Sequence, residues 1–208
     1  MQNIPIPILI TILTALITSL IGPTILEWIK VKFLNKNKDI LSESIKKDEK
    51  IDLLLEQIME EIKCDRISIS QFHNGGNFYP YGKSIKKFSI FYERTNEGIK
   101  SVKQTWQNIP VSLFPKIFSL LNKDKEIIIT DTQNNNLNHD EYIISDRDQK
   151  PNSYYLLAII DINNNFIGVL TMSYYNNKHS FSLEEWIIVR QKIGAIGSIL
   201  TDYLKNKF

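Results

Sequence analysis

Residues 154–175 read YYLLAIIDI, NNN, FIGVLTMSYY, running from Tyr154 through the turn Asn163-Asn164-Asn165 to Tyr175. Two runs rich in β-branched and aromatic residues around a short polar turn predict an antiparallel hairpin, Tyr154 to Ile162 paired with Phe166 to Tyr175. Both runs are nearly all apolar instead of alternating, which predicts central strands covered on both faces. Downstream, Phe181-Ser182-Leu183-Glu184-Glu185 has the form of a helix start, with Ser182 as the cap and Glu185 three residues on. The closing helix then carries Trp186, Ile187, Val189, Ile193, Ile196, Ile199, Leu200 and Leu204 on a wide apolar stripe.

Upstream of the hairpin, Asp39 to Lys63 is rich in helix formers, and Ile51, Leu55, Ile58 and Ile62 recur at helical spacing. That seam of about two heptads has two readings, a connecting helix packed on its own domain or a dimer seam. Arg66 to Phe72 alternates Ile67, Ile69 and Gln71 against Ser68 and Ser70, a strand ended by the turn-forming His73-Asn74-Gly75-Gly76. Phe88 to Glu93 is a second extended run, behind a basic loop around Lys83, Lys86 and Lys87. Pro110 to Leu121 has helical spacing with Pro115 near its start, and Glu126 to Thr130 is a short β-branched strand. The asparagine-rich stretch 131–150 reads as loop. The order helix, strand, strand, helix, strand, hairpin, helix predicts an α+β domain, a mostly antiparallel sheet of about five strands with helices packed on one face.

The N-terminal stretch Ile4 to Leu26 has no charged side chain, and Lys30, Lys32, Lys36 and Lys38 follow closely. At about 1.5 Å of rise per residue it can cross a hydrocarbon core of roughly 30 Å as one helix. The lysines fit the anionic membrane surface, and the positive-inside rule puts the C-terminal domain in the cytoplasm. The expected organisation of the 208 residues is a transmembrane anchor over 1–29, a basic flank and connecting helix over 30–63, and one globular domain over 64–208. The expected location is the bacterial inner membrane, single-pass, with a lipid bilayer as one partner. Self-association is expected through the membrane and connecting helices. A net charge of +2 with no basic stripe in the domain argues against nucleic acid. The single cysteine, Cys64, excludes an intramolecular disulfide and a thiolate zinc site.

The element order, with Gly168-Val169-Leu170-Thr171-Met172-Ser173-Tyr174-Tyr175 leading through Phe181-Ser182 into a final helix, resembles a GAF domain. The resemblance implies a GAF/PAS-like sheet with a helix pair on one face and, on the other, a concave site for a small ligand or a partner loop. GAF domains bind cyclic nucleotides, tetrapyrroles, amino acids or nothing known, so the fold alone does not choose among them. A narrower string, Gly168-x-Leu170-Thr171-Met172-x-x-Tyr175-x-x-x-His179 behind an N-terminal span, is similar to T-even-type phage holins. That resemblance implies assembly in the inner membrane and host lysis, although the lysines argue for the opposite orientation.

For local chemistry, His73, Asn74, Gly75, Gly76 and Tyr79 could line a polar ligand pocket, an imidazole and an amide beside open glycine N–H groups. The same string also reads as a tight hairpin loop bonded to its own backbone. Trp106 could stack on a planar ligand or lie as a lid over the sheet. Lys83, Lys86, Lys87 and Arg94 could meet phosphate or membrane, or simply be solvated. No nucleophile elbow, phosphate loop, metal-ligand set or paired catalytic carboxylate is identifiable, so no catalytic residue, metal or cofactor is expected. The functional expectation is a membrane-anchored GAF-like sensor or interaction protein that binds a small molecule or protein without catalysis; the alternative is the holin.

Overall fold

The computed structural model describes residues 40–77, 84–133 and 150–205, together with 5, 7, 10–11, 14–15, 19 and 22–28. It divides into two compact units, Met1–Ile45 and Lys46–Phe208. In the first, residues 22–28 are helical, and Ile10, Ile25, Leu26 and Trp28 are exposed. Thr11 and Thr14 turn their hydroxyls back onto the carbonyls of Pro7 (2.9 Å) and Ile10 (3.0 Å), which satisfies them without water. Among the described residues no helix is long and apolar enough to cross a membrane. About half of the span expected over 4–26 lies outside them, as do Lys30, Lys32, Lys36 and Lys38.

Helix α1 (Ile40–Ile62) leads into the second unit. There follow β1 (Arg66–Asn77), β2 (Ser84–Thr95), β3 (Ile109–Pro110), a 3-10 turn (Val111–Leu113), α2 (Pro115–Asp124), β4 (Glu126–Ile129), β5 (Ser153–Ile160), β6 (Phe166–Tyr174) and α3 (Leu183–Lys205). The strands form one antiparallel sheet in the order β3-β2-β1-β6-β5-β4. The α+β class stands. The sheet has six strands instead of about five, because Ile109 and Pro110 pair with β2 where a helix start was expected.

The predicted hairpin is β5–β6, and both strands are buried on both faces. Its turn is built by Asp161, whose Oδ1 accepts the N–H groups of Asn163 (2.8 Å) and Asn165 (2.7 Å) while the Asn165 amide donates to Oδ2 (2.9 Å). Those bonds, led by the Asn165 side chain, hold the Asp161 carboxyl below the usual carboxylate range. Ser182 and Glu185 form the reciprocal box at the start of α3: Glu185 N–H donates to Ser182 Oγ (3.2 Å) and Ser182 N–H to Glu185 Oε2 (2.8 Å). Pro115 opens α2 at its first turn.

Strand alternation separates two cores. Ile67, Ile69, Tyr155, Leu157, Ile159, Leu170, Met172 and Tyr174 face α1 and α3. There Ile51, Leu55, Ile58 and Ile62 of α1 meet Val189, Ile196 and Leu200 of α3, all buried. The α1 seam is therefore occupied by the domain's own sheet, each such side chain contributing about 1.5–3 kcal/mol by burial. Lys192 of α3 donates to Gln57 of α1 (2.8 Å), and the Tyr174 hydroxyl donates to the Ile62 carbonyl at the end of α1 (3.1 Å). Gly197 lets α3 lie directly on β5, since a Cβ there would stand 2.6 Å from the Ile160 carbonyl oxygen.

Phe88, Ile90, Tyr154, Leu156 and Val169 face the other way and pack against Ile117, Phe118 and Leu121 of α2. Helices therefore cover both faces, a correction to the one-sided arrangement: α2 lies opposite the α1–α3 pair. Of the closing stripe, Ile187 is 59% exposed, because it lies on the outward side of α3. A second correction concerns β1. It does not end at Phe72 but continues through His73 and Asn74 to Asn77, paired with β2. Asn74 pairs with Lys86 and Asn77 with Ser84, so Gly75 and Gly76 oppose a single residue and form a bulge instead of a turn. A further bulge places Phe91 between the pairs Ile69–Tyr92 and Ser70–Ile90. Beyond it the facing of β2 inverts, so that Tyr92 and Arg94 look toward α1 while Phe88 and Ile90 look toward α2.

Candidate functional site

On the face opposite the α1–α3 pair, strand pairing sets residues in three rows across β2, β1, β6 and β5. The first is Thr95, Arg66, Ser173 and Tyr154; the second Glu93, Ser68, Thr171 and Leu156; the third Ile90, Ser70, Val169 and Ala158. The sheet thus presents a floor that is polar and cationic at one end and apolar at the other. Ser68, Ser70, Thr171 and Ser173 are all buried, and Arg66 is 8% exposed. Its guanidinium stacks 5.1 Å over the Tyr175 ring. Ser70 is 3% exposed, and among the described residues its hydroxyl has no hydrogen-bond partner. A buried hydroxyl left in this state costs about 1–3 kcal/mol, so it marks a place where a partner is missing.

Aromatic rings wall the apolar end. Phe88 meets Trp106 at 5.7 Å, Phe114 at 6.0 Å and Phe118 at 5.2 Å, and Phe72 meets Phe118 at 5.4 Å and Phe166 at 4.9 Å. The segment carrying Trp106 is strapped to β2. Glu93 accepts the N–H groups of Val102 and Lys103 (both 3.1 Å) and the Ser101 hydroxyl, while Gln107 donates to the Ile90 carbonyl (2.8 Å). The strap covers a strand edge that β3 pairs over only two residues.

The residues singled out from the sequence are distributed differently. His73 points away from the floor, since its neighbour Phe72 belongs to the aromatic wall. Its Nε2 lies 2.9 Å from Ser89 Oγ, which also accepts the Asn108 N–H (2.8 Å), and its Nδ1 lies 3.4 Å from the Asn74 carbonyl oxygen. The consistent assignment puts the ring proton on Nδ1 and the Ser89 hydroxyl donating to Nε2. Ser89 is buried, so this pair ties β1 to β2 and offers no accessible nucleophile. Asn74 is exposed and accepts from Lys86 (2.8 Å). Gly75 and Gly76 lie in the bulge, and Tyr79 and Lys83 lie outside the described residues.

Trp106 is buried and stacks on Phe114 (5.7 Å, 29°), which is the lid position. It stands on the face opposite His73, so the geometry does not gather the two into one pocket. Arg94 is engaged from α1, bidentate to Asp52 (2.9 and 2.7 Å) with Glu56 at 3.2 Å, and the hydrogen bond to Asp52 is the main cause of its raised pKa. Among the described residues no cluster of three metal-ligating side chains occurs. The serines at 68 and 70 were visible in the sequence only as alternating polar positions, which ordinarily face water; their burial needed the strands on either side.

Cys64 lies in the helix-side core, where burial, then the neighbouring Asp65, push its thiol up to about 12. Buried and held protonated, Cys64 is expected to react with maleimide at pH 8 at least about tenfold more slowly in the folded chain than in urea. Equal rates would show that this core opens freely.

This architecture, a six-stranded antiparallel sheet with a helix pair on one face and a covered floor on the other, is GAF-like. No family model matches the chain, and no curated protein does. Solved structures do. The blue-light-absorbing form of the PixJ GAF domain from Thermosynechococcus elongatus aligns with TM-score 0.55 at 17% identity, over 80% of this chain and 88% of that one. A far-red cyanobacteriochrome photoreceptor aligns with TM-score 0.57 at 13% identity, over 86% and 98%. The GAF domain/HD domain protein from Geobacter sulfurreducens aligns with TM-score 0.56 at 16% identity, over 76% and 94%. At such identities the likeness is one of fold. It agrees with the first resemblance in the sequence and lends nothing to the lysis protein.

Proposed function

We propose that this chain is a membrane-anchored, non-catalytic sensory domain that binds a small molecule on the hydroxyl floor between Arg66 and Ser70. The observation that carries the reading is the buried, unpartnered hydroxyl of Ser70 among buried Ser68, Thr171 and Ser173. The likeness to GAF domains of photoreceptors supports a sensory role. Because Cys64 is buried in the other core, a ligand on the floor is held without a thioether.

Thermal shift and calorimetry on the full chain in detergent, with cyclic nucleotides, free amino acids and a linear tetrapyrrole, test the reading. At least one compound should stabilise the chain saturably and bind about tenfold more weakly to Ser70→Val, the loss of one hydrogen bond. A panel in which no affinity responds to Ser70→Val removes the floor as the site.

Membrane attachment rests on the charge-free 4–26, the lysines at 30, 32, 36 and 38, and the exposed Ile10, Ile25, Leu26 and Trp28. The chain should stay with the bilayer through alkaline carbonate extraction, and release would remove the anchor from the proposal. Since Cys64 is buried, orientation is read from Ser198→Cys in a Cys64→Ala background, Ser198 being exposed on α3. Cytoplasm-side labelling is the expected result. Self-association is proposed through the N-terminal segment and the outward side of α1, where Leu53 is exposed, because the inward side is already covered.

A further inference from the structure

We infer that the Tyr92-Glu93-Arg94 segment of β2 is a coupler, through which the position of the strap over the aromatic wall is passed to α1. The three consecutive side chains alternate across the sheet. Tyr92 and Arg94 grip α1: the Tyr92 hydroxyl donates to Asp48 (2.5 Å), and Arg94 holds Asp52 by two bonds (2.9 and 2.7 Å) with Glu56 at 3.2 Å. Asp48, Asp52 and Glu56 recur every four residues, so they form one stripe of α1 laid along the strand. Glu93, between the two, points to the opposite face and accepts the Val102 and Lys103 N–H groups (both 3.1 Å) and the Ser101 hydroxyl of the strap. One short stretch of strand thus carries the fastenings of both elements, and it cannot shift toward one without drawing on the other.

Two features leave that stretch able to shift. The bulge at Phe91 interrupts the ladder with β1 immediately before Tyr92, and a strand bends where its ladder is broken. On the outer edge β3 pairs only with Lys87 and Phe88, so beyond Phe88 that edge is fastened by the strap instead of by a strand. The strap carries Trp106, which closes the aromatic wall, and α1 is the helix by which the chain enters the domain. Displacement of the strap by a ligand on the floor is the input, and there the inference rests on the proposed site; the coupling itself is a property of the ligand-free chain. At the far edge, Arg190 of α3 also joins a helix to a strand, at 2.9 Å from Glu126 of β4, but no strap hangs from that pair.

The test is hydrogen exchange of the ligand-free full chain in detergent, read by mass spectrometry on peptides from the strap and from α1. Asp52→Asn, at a half-exposed position on α1, should speed exchange in the strap about threefold or more, within the range of coupling inside one hydrogen-bond network. Glu93→Gln should by reciprocity speed exchange over 48–56 of α1, and Ser101→Ala takes its place should that variant fail to fold. In the double variant the two effects should be less than multiplicative. Arg190→Gln should leave both peptides at the parent rate. Strap exchange unchanged by Asp52→Asn, or sped as much by Arg190→Gln, overturns the coupler. A floor that takes no small molecule leaves these rates unaltered and overturns only the proposed ligand site.

Discussion

Ile58→Asp is expected to abolish folding of the domain at every protein concentration. Ile58 is fully buried between α1 and the sheet, in contact with the core of Leu55, Ile62, Leu170 and Met172. An unpaired carboxylate there combines a lost apolar side chain with an uncompensated buried charge, a cost of roughly 3–5 kcal/mol or more. Ordinary domains hold only about 5–15 kcal/mol in reserve. The milder Ile58→Ala should lower stability by about 2–5 kcal/mol in urea denaturation. The alternative role for the seam, a dimer interface, predicts the opposite pattern: Ile58→Asp would be folded, monomeric and of ordinary stability. Circular dichroism and sedimentation on the same sample decide between the two.

Trp106→Ala should lower stability by about 3–5 kcal/mol, the usual cost of removing a large buried aromatic. Its ring lies between Phe88 and Phe114, and its backbone oxygen accepts the Ile90 N–H at 3.0 Å, so the side chain closes the strap over the aromatic wall. Trp106→Phe should recover much of the loss, since an aromatic body is kept. The measurement is the urea midpoint. A Trp106→Ala chain as stable as the parent, with ligand affinity alone reduced, would return Trp106 to the ligand site.

How far the fold was legible depends on the range of the interactions. The β5–β6 hairpin, the Ser182–Glu185 box and Pro115 at the start of α2 are built by groups within a few residues of each other, and each was readable. The bulges were not. Phe91 bulges without a glycine nearby, and Gly75-Gly76, which have the chemistry of a turn, instead extend β1 because β2 continues to pair beyond them. His73 was conspicuous, and its ring lies 2.9 Å from Ser89 Oγ of the paired strand. The residues of the floor were inconspicuous, since serine and threonine on alternate strand positions look the same whether solvent or protein lies above them.

Patterning along the chain was thus enough for the α+β class and for the element order apart from the short β3, because periodicity and caps act locally. Which face of each strand is covered, where the facing of β2 inverts, and that Arg66, Ser68, Ser70, Thr171 and Ser173 share one buried surface were settled by packing. Those residues come from strands about a hundred positions apart, and hydrogen-bonded register between distant strands is what brings them side by side.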